Sequence, residues 1–228
     1  MNFADALRAA AQLLSARDPK VAEAVLVSLQ VALLGTMFAT VLGAPVGFWV
    51  ARRDFRGRRG VELVLNTATA LPTVVVGLLT YALLSRRGLL GDLGLLYTRS
   101  AMVLGETVLV APLMAALTLA VVSGADPRIY ETALTLGATP ARAAWTVAAE
   151  VRRGLLAAVA TGFGRLVSEL GVALMVGGNI AGATRTMTTA IALETSKGEF
   201  AFGLALGFLL LAVALIVNVG AALLMPRR

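Results

Sequence analysis

The chain has 228 residues, of which 58% are hydrophobic and only 14% charged, and its mean hydropathy is +0.85. Ordinary soluble domains carry roughly 25% charged residues. Cysteine and histidine are both missing, which excludes disulfides, thiol nucleophiles, imidazole bases and the usual zinc, haem and iron–sulfur ligand sets. We therefore predict no catalytic residue, metal site or cofactor. The formal charge of +7 resides in arginines between long apolar runs, which indicates membrane flanks rather than nucleic-acid binding.

The first twenty residues do not resemble a cleavable signal peptide, because charged residues interrupt any apolar stretch. These interruptions are Asp5, Arg8, Arg17 and Asp18. Apolar residues instead recur at helical spacing, at Phe3, Leu7, Ala10 and Leu14. We predict that residues 1–20 form an amphipathic, extracytoplasmic segment lying on the membrane, followed by a transmembrane domain over 21–228.

Five stretches are long and apolar enough to cross a bilayer, which requires about 20 residues in a helix. They cover residues 24–50, 61–84, 102–122, 155–176 and 200–224. No stretch shows the polar–apolar alternation of a membrane barrel, so the prediction is an all-α membrane protein with about five transmembrane helices. Pro45, Pro72 and Pro112 fall inside the first three spans, either as static kinks or as bends that help to open a pathway.

The loop after the first span is the strongest orientation signal, with five arginines in the eight residues 52–59. Short loops rich in arginine stay in the cytoplasm. Alternation from this loop places the N-terminus and the loops 85–101 and 177–199 outside. The segment 123–154 and the C-terminus are then cytoplasmic.

The segment 123–154, predicted to be cytoplasmic, contains residues typical of the starts and ends of two short helices. Asp126 followed by Pro127 is a typical helix start, with a capping carboxylate and a proline in the first turn. Gly137 fits the end of this helix, and Thr139 with Pro140 starts the next. Two helices that meet at a glycine would form a projection suited to a cleft in a partner protein.

The fourth span carries Arg165, Ser168 and Glu169. An arginine within the bilayer is costly and must face protein or water. Glu169 lies one helical turn away, where it can pair with Arg165, and Glu106 of the third span is a second candidate partner. Two interpretations stay open: a structural ion pair inside the bundle, or a pathway site where Arg165 and Ser168 meet a passing anion and Glu169 limits its affinity.

The loop after the fourth span is rich in hydrogen-bond donors. A glycine turn with Asn179 is followed by the arginine and threonines Thr184, Arg185, Thr186, Thr188 and Thr189. Hydroxyls, backbone amides and one guanidinium suit a tetrahedral oxyanion. A solvated loop built from ordinary turn residues is the alternative.

The cytoplasmic segment resembles the "EAA" loop of permease subunits of bacterial ABC importers, which reads Glu-Ala-Ala, three residues, Gly, nine residues, Ile, one residue, Leu-Pro. Glu131, Thr132 and Ala133 stand in the Glu-Ala-Ala positions, and Gly137 follows at the right spacing, with Ala138 and Pro140 after it. Val147 takes the Ile position, whereas Ala149-Glu150 replaces Leu-Pro. The resemblance implies the MetI-like type I importer fold and a loop that docks on a cytoplasmic ATPase.

The stretch 168–199 is similar to tungstate-specific ABC permeases, with molybdate permeases as more distant relatives. The similar runs are Ser168-Glu169-Leu170-Gly171, Gly177-Gly178-Asn179-Ile180 and 184–195. This resemblance implies a homodimeric permease in a bacterial or archaeal inner membrane. It also implies a separate ATPase subunit and an extracytoplasmic binding protein that delivers the oxyanion.

No phosphate-binding loop is visible, because neither of the two lysines, Lys20 and Lys197, follows a glycine-rich turn. Energy from ATP would have to come from another chain. A stand-alone secondary transporter or anion channel is the alternative function, with Glu106, Arg165 and Glu169 as the candidate coupling residues.

Overall fold

The computed structural model describes Arg8, Ala11, Gln12 and residues 18–223, without the side chains of 221 and 222. The predicted amphipathic segment 1–20 therefore lies almost wholly outside the described residues. Within them the regular structure is entirely helical, as predicted. The helices are α1 (Pro19–Arg52), α2 (Arg58–Ala68), α3 (Thr73–Leu84), α4 (Arg99–Ser123), α5 (Pro127–Thr135), α6 (Pro140–Glu150), α7 (Arg152–Val167), α8 (Gly171–Gly177), α9 (Met187–Ser196) and α10 (Phe200–Leu223), with a short 3₁₀ turn at Gly91–Leu93.

In the part of the chain that the structure describes, three helices, α1, α4 and α10, are long and apolar enough to cross a membrane. The number rises to five if the bent pairs α2–α3 and α7–α8 each count as one span. The five predicted stretches coincide with these five units, so the prediction of a multi-pass helical protein is confirmed. Which face of the bundle points to the cytoplasm stays a prediction.

The second predicted span is not one helix, which corrects the sequence prediction. Helices α2 and α3 meet at an angle of 94°, and Pro72 stands at the start of α3 in an extended conformation rather than inside a helix. Proline lacks an amide hydrogen and disfavours helical geometry in the residue before it. The chain therefore turns at this point, whereas Pro45 and Pro112 remain inside the continuous helices α1 and α4.

The fourth predicted span is also broken, with an angle of 56° between α7 and α8. Helix α7 ends at Val167 and α8 begins at Gly171. Between them the Glu169 carboxylate accepts hydrogen bonds from the amides of Leu170 and Gly171, at 3.0 and 2.7 Å. An acidic side chain that binds the first amides of a helix stabilises that start, so Glu169 compensates for the interrupted helical bonding.

Glycines set the closest helix contacts of the bundle. A Cβ atom on Gly43 or Gly47 of α1 would collide with the backbone carbonyls of Ala111 and Ala115 in α4. Small residues let membrane helices approach until their backbones touch. The central pair α1–α4 therefore depends on the absence of side chains at these two positions.

Residues 126–150 form the α5–α6 hairpin. Its helices start, and the first of them ends, at the places that the sequence predicted. Asp126 caps α5 by accepting from the amide of Arg128 at 2.9 Å, and Thr139 caps α6 by accepting from that of Arg142 at 3.4 Å. Gly137 joins the helices with a φ of 86°, which glycine adopts without steric cost. The hairpin is thus two short helices that meet at a glycine.

Candidate functional site

The α5–α6 hairpin presents its predicted coupling residues at the surface. Glu131, Thr132, Gly137 and Pro140 are exposed, while Ala133 and Ala138 are half-buried. A groove of about 650 Å³ runs between the two helices. Leu136 and Trp145 are 82% and 77% exposed. Exposed apolar side chains around a groove are typical of a protein-binding surface.

Two features anchor the hairpin: buried residues of α6, and a contact between α5 and the end of α1. Ala143 and Val147 of α6 are fully buried. The guanidinium of Arg52, the last residue of α1, lies 4.2 Å from the centre of the Tyr130 ring in α5. Such cation–π contacts contribute about 0.5–1 kcal/mol at exposed sites. A displacement of α5 would therefore act on the end of the longest helix.

The predicted pair of Arg165 and Glu169 forms in the structure, with Nη1 of Arg165 donating to Oε2 of Glu169 at 3.2 Å. Glu169 is buried, with a side chain that is 2% exposed, whereas the Arg165 side chain is 39% exposed. Ser168 between them is exposed, and its hydroxyl donates to the carbonyls of Gly164 and Arg165. The pair thus has a buried acidic end and an accessible basic end.

Glu106, the second candidate partner for Arg165, occupies a different environment. It is 2% exposed, and its Oε2 atom has no hydrogen-bond partner among the described residues. It packs near Gly35 of α1 and Leu166 of α7. In this structure Arg165 is bonded to Glu169, and Glu106 contributes a buried carboxylate to the helix interface.

A pocket of about 350 Å³ opens at the break between α7 and α8. Its lining includes Arg165, Ser168 and Glu169 together with Thr73 at the start of α3. The break in the second span and the break in the fourth span therefore share one cavity. Thr73 was missed by the sequence reasoning, because the only signal for it was the preceding proline.

The loop between α8 and α9 is folded on itself through its own side chains. Arg185 donates to the side-chain oxygen and to the carbonyl of Asn179, at 3.2 and 3.3 Å. The Thr184 hydroxyl is fully buried, donates to the carbonyl of Gly177 at 2.6 Å and accepts from the amide of Ile180 at 3.0 Å. Asn179, Thr184 and Arg185 thus stabilise the loop conformation.

The threonines at the start of α9 form a second hydrogen-bonded cluster. Thr186 caps α9 in a reciprocal arrangement with Thr189, and both side chains are buried. Thr188 donates to the carbonyl of Glu169 at 2.7 Å. This bond satisfies a carbonyl in the broken span, so it connects the loop directly to the Arg165–Glu169 pair.

Arg99 of α4 also holds the α8–α9 loop in place. It was not among the predicted site residues. Its guanidinium donates to the carbonyl of Ala183 at 2.7 Å and to the side-chain oxygen of Gln30 at 2.8 Å. Arg99 directly follows the N-cap of α4, and nothing in the sequence there indicates a hydrogen bond to a residue 84 positions further along the chain. Three helices, α1, α4 and α9, consequently hold the loop in place.

An all-helical multi-pass bundle with broken spans, a polar cavity at the breaks and a projecting helical hairpin has the build of a membrane transport component. The chain belongs to the family of binding-protein-dependent transport system inner membrane components, whose family model matches residues 43–228. It is therefore a permease subunit of an ABC importer.

Relatives of this chain are permease proteins of tungstate and molybdenum transport systems. It is 42% identical over 165 residues to the tungstate uptake system permease protein TupB of Campylobacter jejuni, covering 72% of this chain and 69% of that one. It is 36% identical over 216 residues to TupB of Peptoclostridium acidaminophilum, covering 95% of each. The molybdenum transport system permease protein ModB of Escherichia coli is 30% identical over 187 residues, with 78% and 82% covered.

Solved structures confirm the predicted MetI-like fold. The inward-facing MetNI methionine ABC transporter matches with a TM-score of 0.71, covering 90% of this chain and 94% of that one at 18% identity. A bacterial alginate ABC transporter matches with a TM-score of 0.66, covering 90% and 77% at 17% identity.

Proposed function

We propose that this chain forms the translocation pathway of an importer for tungstate. The observation that carries the proposal is the 36% identity to a tungstate permease over 95% of both chains. The relative assigned to molybdenum is less similar, at 30% over a shorter stretch. The substrate would be a tetrahedral oxyanion handed over by an extracytoplasmic binding protein.

The energy would come from a separate cytoplasmic ATPase bound to the α5–α6 hairpin. Its docking surface would comprise Glu131, Thr132, Ala133, Gly137, Ala138 and Pro140. The exposed Leu136 and Trp145 beside them support this assignment, because large apolar side chains are enriched in protein interfaces. Two copies of this chain, each with one ATPase, would enclose the pathway between them.

Arg165, Ser168 and Glu169 would line this pathway. The partly exposed guanidinium of Arg165 supports the assignment, because it can bond an oxyanion while its partner Glu169 stays buried. Asn179, Thr184, Arg185 and Thr186 would contribute at the outer loop, chiefly by fixing its shape, since their side chains are already engaged there.

Transport by the purified complex tests the function. The permease, its ATPase and the binding protein would be reconstituted in proteoliposomes, and uptake of tungstate, molybdate and sulfate would be measured with and without ATP inside. We expect ATP-dependent tungstate uptake that exceeds molybdate uptake. Gradient-driven flux of tungstate through the permease alone would instead establish a secondary transporter or channel.

The docking surface is tested by Gly137→Asp. A Cβ at Gly137 meets open space, and aspartate tolerates positive φ better than most residues, so the hairpin should keep its fold. A new charged side chain at the turn in the centre of the docking surface should abolish ATPase co-purification and uptake, while membrane insertion continues. The measurement is the amount of ATPase retained on the tagged permease.

Gly198→Asp is the matched control. Gly198 also has a positive φ, of 84°, and open space around its Cβ position, but it lies between α9 and α10, away from the hairpin. This variant should retain the ATPase. If the Gly137→Asp complex assembled normally, the hairpin would not be the docking surface for the ATPase.

A further inference from the structure

The two broken spans lie against each other at the points where α3 and α8 begin. A Cβ on Gly171, the first residue of α8, would collide with the Thr73 hydroxyl and would lie 3.0 Å from the amide nitrogen of Val74. A Cβ on Gly77, one turn into α3, would be 3.2 Å from the carbonyl oxygen of Gly171. The close approach of these glycines brings Thr73 to the edge of the cavity that Arg165 lines.

Thr73 offers hydrogen-bond donors for which the described residues supply no acceptor. Its hydroxyl makes no hydrogen bond to any described residue. Helix α3 has twelve residues and begins without a side-chain cap, and the carbonyl of Pro72 accepts from the amides of Val75 and Val76. The first amides of a helix lack intrahelical partners, so those of Thr73 and Val74 remain available next to the hydroxyl.

Arg165 supplies the positive charge of this cavity. Its ion pair with Glu169 uses one nitrogen, Nη1, at 3.2 Å, and a guanidinium has five N–H donors in all. Both oxygens of Glu169 are already occupied, one by Arg165 and the other by the amides of Leu170 and Gly171. The acidic member of the pair is thus compensated, while the basic member keeps donors that face the cavity.

We propose that this cavity is an oxyanion subsite, in which the Thr73 hydroxyl and amide and the Arg165 guanidinium bind the substrate in transit. A tetrahedral oxyanion has only acceptors, and Thr73 and Arg165 both offer it donors from the lining of the cavity. The buried carboxylate of Glu169 keeps the net charge low, which favours release over retention. This inference rests on the proposed oxyanion transport and adds a specificity-determining residue, Thr73, from a different span.

Protection of an introduced cysteine tests occupancy directly. The chain contains no cysteine, so Thr73→Cys places a single thiol in this subunit. The complete complex, with ATPase and binding protein, would be treated with a small anionic methanethiosulfonate during ATP turnover, with and without tungstate. We expect tungstate to slow modification at least about threefold.

Leu89→Cys serves as the labelling control, because Leu89 is 89% exposed and lies outside the cavity. Its modification rate should be the same with and without tungstate. If the Thr73→Cys rate were equally insensitive to tungstate, the cavity would be only a polar notch and the subsite would be refuted.

Transport by hydroxyl variants gives an independent measurement. Thr73→Val removes the hydroxyl at constant shape and should lower tungstate turnover about 2–10-fold at saturating loaded binding protein, the range for one lost hydrogen bond. Thr73→Ser should restore it. Thr40→Val is the matched control, because the Thr40 hydroxyl donates to a carbonyl of its own helix, and turnover should be unchanged.

The two proposals fail differently. Absence of ATP-dependent tungstate uptake by the wild-type complex contradicts the proposed function. Normal wild-type uptake, combined with wild-type turnover in Thr73→Val, contradicts only the subsite.

Discussion

Threonine hydroxyls serve as hydrogen-bond partners at two places where the backbone of this protein leaves helical geometry. Thr184 satisfies two backbone groups of the α8–α9 loop, and Thr188 satisfies the carbonyl of Glu169 at the break in the fourth span. Irregular backbone at membrane depth is tolerated only where its polar groups find partners within the protein. These threonines therefore make the non-helical segments possible.

Thr184→Val should destabilise the protein strongly for this reason. The carbonyl of Gly177 and the amide of Ile180 would both lose their bond to the Thr184 hydroxyl, which is fully buried. An unsatisfied buried group costs about 1–3 kcal/mol, so we expect a loss of about 2–4 kcal/mol. Thermal unfolding in detergent, followed by a fluorescent or light-scattering probe, measures it.

Thr161→Val is the comparison variant for this measurement. The Thr161 hydroxyl is exposed and donates to the carbonyl of Ala157 in its own helix, which needs no second partner. Its stability should stay within about 0.5 kcal/mol of the wild type. Equal stabilities of the two variants would mean that other contacts hold the loop.

At the scale of helices, the closest contacts of the bundle occur at glycines, which have no side chain. Gly43 and Gly47 of α1 let the backbone of α4 come into contact, and Gly77 and Gly171 do the same for α3 and α8. Membrane helices gain no hydrophobic free energy from leaving lipid, so their association depends on such close packing. Each glycine contact is therefore a point where a methyl group would separate two helices.

Gly47→Val should prevent α1 and α4 from packing. Its branched side chain would collide with the carbonyl of Ala115 and the backbone at Leu119, and neither can move without bending α4. Overpacking costs typically 1–3 kcal/mol and more against rigid backbone. We expect most of the protein to aggregate on size-exclusion chromatography, whereas Gly207→Val in α10, where a Cβ meets nothing within 4 Å, should elute normally.

The α5–α6 hairpin could be predicted from sequence because its signals are local. Asp126, Thr139 and the proline after each of them fix the helix starts, and Gly137 fixes the turn. Each acts on backbone within a few residues of itself. The pairing of Arg165 with Glu169 could likewise be predicted, because the two residues are four positions apart on a helix.

The break in the fourth span could not be predicted, because its causes are distant in sequence. No proline or glycine occurs in Ser168-Glu169-Leu170, and hydropathy favours a continuous helix. The break is stabilised by Glu169 at the start of α8 and by Thr188, nineteen residues further on. Pro72 did signal a bend in the second span, but a proline alone does not specify the angle of 94°.

For the molecule as a whole, the arginine loop and the α5–α6 hairpin lie on one face. Arg52 at the start of that loop contacts Tyr130 of the hairpin. Both were assigned to the cytoplasm from charge and alternation. Their contact ties the two assignments together, so that one measurement of sidedness decides both.

Sidedness is measurable with single cysteines in this cysteine-free chain. Leu136→Cys and Leu89→Cys introduce thiols at positions that are 82% and 89% exposed. In intact cells a membrane-impermeant maleimide should label Leu89→Cys, while Leu136→Cys should react only in inside-out vesicles. The reverse pattern would overturn the predicted orientation and, with it, access of a cytosolic ATPase to the hairpin.

The broken spans also bear on how the chain enters the membrane during synthesis. Helix α3 has twelve residues, about 18 Å of helix, against a hydrocarbon core of about 30 Å. Helix α8, its partner, emerges from the ribosome only after another hundred residues or so. Helix α3 is therefore too short to cross the core by itself, and we expect it to settle in the membrane fully only once α8 packs against it, so that the order of integration need not follow the order of translation.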